Sequence, residues 1–226
     1  MSVPTPVARH VRVSRTARFY QLGAHGPQVR ELWIACHGYA QLAEPFALAL
    51  EPLNDGTRVI IAPEGLSRFY LDDLLKRHGP DSPVGASWMT FQERESEIAD
   101  YVEYLDAVAR LVREEAGATE LRVVALGFSQ GVATVSRWAA MGTTRVDRLI
   151  LWAGSLPPDL PTERGNQLFR GASITIVAGR MDTLITQKVL ESQQRALAER
   201  GLESELVMFD GGHSLSTETL RRIGAQ

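Results

Sequence analysis

The chain has 226 residues, of which 44% are hydrophobic and 23% charged, with a formal net charge of -3. That length suits one compact α/β domain over residues 1–226, and the apolar share argues against disorder. Basic residues are scattered without a stripe, which argues against a nucleic-acid partner. The first seven residues lack the apolar core of a secretory signal, and no apolar run is long enough to cross a bilayer, so no stable membrane insertion is expected. The single cysteine, Cys36, cannot form an internal disulfide, which agrees with a cytoplasmic location.

In chain order, residues 7–13 and 17–22 read as two opening strands, an antiparallel start to the sheet. Residues 32–36 and 58–62 are apolar strands. Between them, residues 42–53 read as a helix with Phe46, Leu50 and Leu53 on one face. Residues 88–117 contain the clearest helix, with Ile98, Tyr101, Val102, Leu105, Val108 and Val112 at helical spacing. Thr90 and Glu93 predict a capping box at its start, and Gly117 its end. Residues 121–126 form another apolar strand, followed by Gly127-Phe128-Ser129-Gln130-Gly131 and a helix over 132–141. Strands at 149–152, 174–178 and 205–209 follow, with a helix over 187–200 and a short terminal helix after His213. Residues 156–165, with three prolines, read as a loop bordering the site. Strands alternating with helices predict an α/β architecture, a mostly parallel central sheet of about eight strands with helices on both faces.

The Gly-x-Ser-x-Gly turn between a strand and a helix has the form of a nucleophile elbow, which exposes a serine hydroxyl at the sheet edge. Gly127 and Gly131 lack a Cβ, so strand and helix can close on each other there. A serine needs a base to remove its proton. Asp182 follows the strand at 174–178, and His213 follows the strand at 205–209. Three strand ends therefore deliver Ser129, Asp182 and His213 to one edge of the sheet, in the order nucleophile, acid, base. Asp210 lies too close to His213 to be that acid on a separate strand. His10, His25 and His78 fall in polar stretches and read as surface residues. The backbone N–H groups of Gln130 and of Tyr39, in the loop after residues 32–36, are the expected oxyanion donors. His37 is expected to brace that loop. Phe69, Tyr70, Trp88 and Met89 serve equally well as pocket lining or as core. No cluster has metal-ligand spacing, and no phosphate-loop lysine follows Gly127.

The segments His37-Gly38, Ala62-Pro63-Glu64-Gly65, Gly127-Phe128-Ser129-Gln130-Gly131, Gly179-Arg180-Met181-Asp182 and Gly211-Gly212-His213 span most of the chain. On these segments the sequence resembles the phospholipase/carboxylesterase family of α/β-hydrolases, which includes the acyl-protein thioesterases. The resemblance implies the α/β-hydrolase fold and a serine carboxylesterase with no cofactor and no metal. The lack of an insertion between residues 152 and 174 long enough for a large lid, and the bulk of Phe69, Tyr70 and Trp88 as pocket lining, point to small acyl esters as substrates. The resemblance also implies Ser129, Asp182 and His213 as the triad, and Tyr39 and Gln130 as the oxyanion donors. The partner is then a small-molecule ester, and a homodimer stays open. Lysophospholipase or acyl-protein thioesterase activity is the alternative within this chemistry, and a non-catalytic binding protein the alternative outside it. Tyr39-Ala40-Gln41 and Val132 depart from the thioesterase branch, which carries Gly and Asp soon after its His-Gly and a further glycine in place of Val132.

Overall fold

The structure is a computed structural model that describes residues 5–23, 25–72, 75, 77–117, 120–161 and 171–226. Among them are nine strands: β1 (Phe19–Leu22), β2 (Glu31–Cys36), β3 (Arg58–Pro63), β4 (Ser67–Tyr70), β5 (Val84–Ser87), β6 (Arg122–Phe128), β7 (Arg148–Trp152), β8 (Ser173–Gly179) and β9 (Ser204–Phe209). Five helices accompany them: α1 (Ala43–Ala49), α2 (Arg94–Ala116), α3 (Gln130–Met141), α4 (Gln187–Ala198) and α5 (Thr217–Gly224). Seven strands form the main sheet in the order β1-β3-β2-β6-β7-β8-β9. Only β1 is antiparallel to its neighbour.

Parallel central strands need cover on both faces, which is why they read as unbroken apolar runs. Strand β2 illustrates this. Leu32, Ile34 and Cys36 join a core with α2, α3 and α4, whereas Trp33 and Ala35 join a second core with α1 and α5 on the opposite face. Successive side chains point to opposite faces, so each core receives alternate residues.

Three expectations are corrected here. The main sheet has seven strands rather than about eight, because residues 7–13 form no strand. His10 and Arg12 of that segment pair with Glu93 and Glu103 and hold it across α2 instead. Its valines Val7 and Val11 are each 84% exposed. Ser67–Tyr70 and Val84–Ser87, which carry no clear strand signal, pair as a separate antiparallel hairpin, β4–β5. The capping box at Thr90 and Glu93 does not form. Glu93 adopts a left-handed φ of 53° and its carboxylate meets His10, while Glu97 accepts from the Thr90 N–H. The helix predicted over 42–53 stops at Ala49, and Pro52 lies in a short 3-10 turn, where its ring cannot continue an α-helix. Part of the loop predicted over 156–165 lies outside the described residues.

The helix that leaves the elbow, α3, is clamped at its far end by buried Asp106 of α2. Its carboxylate accepts from Trp138 Nε1 (2.8 Å), Thr143 N–H (2.7 Å), Thr143 O–H (2.8 Å) and Thr144 N–H (3.0 Å). Burial alone would raise this carboxyl, but the Thr143, Thr144 and Trp138 donors outweigh it and hold it below the ordinary carboxylate range. We expect Asp106→Ala to cost about 2–3 kcal/mol, because four donors lose their acceptor at once. Thermal melts at neutral pH should fall by roughly 5–10 °C. A depressed folded-state pKa stabilises fully above the unfolded carboxylate value and fades as pH falls through the folded one. The difference between wild type and variant should therefore shrink in acid; a difference constant from neutral to strongly acidic pH refutes the clamp.

Candidate active site

The site forms where β6, β8 and β9 end. Ser129 joins β6 to α3 with φ 54° and ψ -116°, a backbone that L-residues rarely adopt. Two contacts explain why the chain tolerates it. A Cβ on Gly127 would lie 2.3 Å from Gly131 O, and a Cβ on Gly131 would lie 2.1 Å from Cys36 O. Only glycine at both positions lets the first turn of α3 press against β6 and against the end of β2. The Ser129 N–H donates to Trp152 O at 2.9 Å, which fixes the elbow to β7. Ala40 (φ 64°) and Ala153 (φ 48°) are also left-handed and flank Ser129 in the loops after β2 and β7. Backbone strain of about 1–3 kcal/mol per residue thus gathers at this edge.

The Asp182 and His213 loops pack together because a Cβ on Gly179 would lie 2.2 Å from Gly211 O. Met181 N–H donates to Gly211 O at 2.9 Å, and Trp152 Nε1 donates to Ser214 O at 3.0 Å. His213 Nε2 lies 2.9 Å from Ser129 Oγ, and His213 Nδ1 lies 2.8 Å from Asp182 Oδ2. A carboxylate only accepts, so Nδ1 carries the ring proton and Nε2 is free to accept from the serine hydroxyl. The other Asp182 oxygen accepts from Leu184 N–H (2.8 Å) and Ile185 N–H (3.0 Å). Burial would raise this carboxyl, but the Ile185, His213 and Leu184 donors hold it below the usual carboxylate range. Asp182 is therefore a carboxylate at neutral pH.

Opposite His213, the loop after β2 runs past the elbow. A Cβ on Gly38 would lie 3.1 Å from Ser129 Cβ, so a larger residue would crowd the serine; the residue that turns left-handed is Ala40, not Gly38. Buried His37 braces the loop. Its Nε2 accepts from Gly65 N–H at 3.0 Å and its Nδ1 donates to Gly38 O at 2.7 Å. Burial lowers its pKa, so the ring is neutral. Among the described residues, the N–H groups of Tyr39 and Gln130 have no protein acceptor. The Gln130 side chain faces the other way: its Nε2 donates to Met89 O (3.0 Å) and Ser87 Oγ (3.1 Å), and its Oε1 accepts from Trp88 N–H (3.2 Å).

Sequence reasoning missed three groups that shape this loop. Gln41 Oε1 accepts from Gly38 N–H at 2.7 Å. Buried Glu64 accepts from Ala43 N–H and pairs with Arg18 and Arg68. The Gln130 side chain ties α3 to the hairpin. Glu64 had a signal, an acidic residue directly after a buried strand; the two glutamines had none.

The four residues offered as pocket lining lie elsewhere. Trp88 is 2% exposed, with its ring against His37 and Tyr101 and its Nε1 donating to His37 O. Met89 packs on the core beside α2 and α3. Phe69 stacks on Tyr39, which borders the groove, at 5.3 Å, and Tyr70 stacks on His78 at 4.0 Å. The groove that opens at Ser129, of about 660 Å³, is bordered instead by α1, Phe128 and Leu215. Among the described residues no cluster of His, Cys, Asp and Glu could hold a metal ion, and no helix is long and apolar enough to cross a membrane.

The sequence pattern of the family described as Serine hydrolase (FSH1) matches residues 36–221. The chain belongs to that family. This serine hydrolase shares its fold with a carboxylesterase from Mesorhizobium loti, at 18% identity and a TM-score of 0.68 over 92% of this chain and 94% of that one. The Bacillus cereus carboxylesterase is similar at 14% identity and a TM-score of 0.66, over 92% of each chain. Acyl-protein thioesterase 2 of Zea mays is similar at 13% identity and a TM-score of 0.66, over 93% of this chain and 97% of that one. These likenesses establish the α/β-hydrolase fold expected from the elbow. No curated protein matches the sequence.

Glycine accepts the Ser129 backbone that a Cβ strains. We therefore expect Ser129→Gly to be more stable than Ser129→Ala by about 1 kcal/mol, the strain relieved exceeding glycine's extra unfolded-state entropy. Both variants lose the same hydroxyl, so a denaturant titration of the pair isolates the backbone. Equal midpoints, or a more stable alanine variant, are incompatible with a strained elbow.

Proposed function

We propose that this serine hydrolase is a carboxylesterase for esters of small acyl groups, with Ser129 as nucleophile, His213 as general base and Asp182 as the group that orients it. The observation that carries the reading is the chain of contacts from Ser129 Oγ to His213 Nε2 (2.9 Å) and from His213 Nδ1 to Asp182 Oδ2 (2.8 Å). Ser129 attacks the ester carbonyl as His213 takes its proton. The carbonyl oxygen becomes an oxyanion facing the Tyr39 and Gln130 N–H groups, each such donor being worth about 3–4 kcal/mol in the transition state. The imidazolium, held against the Asp182 carboxylate, returns the proton to the departing alkoxide. A water, deprotonated by the same ring, then cleaves the acyl-enzyme and regenerates Ser129. A thioester fits the same steps with a thiolate leaving. We read residues 1–226 as one domain, and buried Cys36, the only cysteine, fits a cytoplasmic setting.

Two substitutions separate the roles. Ser129→Ala should abolish hydrolysis of p-nitrophenyl acetate and labelling by a fluorophosphonate probe while the fold persists; wild-type turnover by this variant contradicts the reading. Asp182→Asn keeps the shape and removes a charge that titration removes only in strong acid, since this carboxyl sits below the usual range. Its kcat should fall by roughly 10⁴-fold, because an amide N–H facing Nδ1 forces the wrong ring tautomer. A fall of less than tenfold assigns the acid role to another residue.

A further inference from the structure

The groove at Ser129 follows α1, the crossover between β2 and β3. Among the residues lining it are Leu42, Pro45, Phe46 and Ala49, together with Val84, Phe128 and Leu215. None of the described residues lining it is Asp, Glu, Lys or Arg. Its volume of about 660 Å³ falls within the range of small-molecule pockets. The groove begins at Gly38 and Gln41, beside the nucleophile, and α1 leads away from there. From Leu42 to Ala49 the chain rises about 10 Å along α1, so Ala49 is, of the α1 residues lining the groove, the one farthest from Gly38 and Gln41. A methyl group at that point leaves the groove open, where a larger side chain would close it.

We infer that this groove holds the acyl chain of the substrate and that Ala49 sets the chain length accepted. The inference rests on the esterase reading and names the substrate class of that same site. Orientation follows from the reaction. The leaving oxygen must face His213 Nε2 to receive a proton, and the carbonyl oxygen faces Tyr39 and Gln130. The acyl chain, on the remaining side of the carbonyl carbon, starts beside Gly38 and Gln41 at the head of α1. It also stays bound to Ser129 through both chemical steps, whereas the alcohol departs after the first. An uncharged wall fits an aliphatic chain and rejects a charged one, since a carboxylate there would lose its water without gaining a partner.

The test is kcat/KM for p-nitrophenyl acetate, butyrate and octanoate without detergent, for wild type, Ala49→Phe and Leu48→Phe. Leu48 is exposed on the same helix and does not line the groove. In wild type each methylene held in the groove should raise kcat/KM by up to about fourfold. Ala49→Phe should lower the octanoyl-to-acetyl ratio by at least about tenfold, the loss of two or more such methylenes. Leu48→Phe should leave the ratio unchanged. If Ala49→Phe fails to fold, judged by its melting transition, Ala49→Leu repeats the test with a smaller obstruction. Equal ratios in the Ala49 and Leu48 variants overturn the inference. So does an effect of the Ala49 substitutions that follows the alcohol chain, in octyl against methyl acetate, rather than the acyl chain. The esterase reading fails separately, if wild type shows no Ser129-dependent hydrolysis of the acetyl ester.

Discussion

The contact of α3's first turn with the ends of β2 and β6 governs the rest of this site. Gly131 lies against Cys36 O and Gly127 against Gly131 O, at separations that admit no Cβ. Because the turn is that close, the Gln130 N–H and the loop carrying the Tyr39 N–H flank the same serine. The Ser129 backbone is then forced into a region that costs about 1–3 kcal/mol. The compensation is distributed. Trp152 O takes the Ser129 N–H, Gln130 anchors to the β4–β5 hairpin, and Asp106 clamps the far end of α3. Helix α3 is therefore held at both ends, which a strained N-terminal residue requires.

Buried acids recur around this frame, and each is met by directed N–H donors. Asp182 receives the Leu184 and Ile185 amides besides His213, and Asp106 receives two amides, an indole and a hydroxyl. Glu64 combines the Ala43 amide at the start of α1 with two arginines. A buried carboxylate without such donors costs several kcal/mol, so these residues dictate local geometry: the loop must bring its N–H groups to them. For Asp182 the consequence is chemical. An oxygen saturated by backbone amides cannot rotate, so the second oxygen stays aimed at Nδ1.

The legible parts of the sequence were those where one physical demand left one pattern. Central parallel strands are covered on both faces, so β2, β6, β7 and β8 appear as plain apolar runs. The elbow needs glycine on both sides of its serine, and the strand-end positions of Asp182 and His213 follow from the parallel sheet. The illegible parts had competing explanations. Residues 7–13 alternate Val with polar residues as a strand would, yet His10 and Arg12 find acidic partners on α2 that no local pattern reveals. Trp88 is aromatic and close in sequence to the site, but its indole N–H needed an acceptor and found the buried His37 carbonyl, which draws it into the core. The groove walls escaped notice because Pro45 and Ala49 look like the ordinary outer face of a short helix.

The α1 side of the groove is built by a different part of the chain from the Ser129–His213–Asp182 contacts, and that separation has a consequence. Ser129, Asp182 and His213 follow β6, β8 and β9, where Gly127, Gly131 and Gly179 leave no room for a Cβ. One wall of the groove belongs to α1, whose residues Ala43, Phe46 and Ala47 secure it in the core beside β1 and β3 while Pro45 and Ala49 remain outside the core. A substitution on the outer face of α1 leaves the inner packing untouched, and residues without shared partners contribute independently. A substitution at Pro45 or Ala49 therefore leaves the packing of the elbow in place, whereas a Cβ at Gly127 or Gly131 displaces Ser129. With the acyl chain in this groove, as proposed, substrate range would change in small steps while the elbow stays fixed.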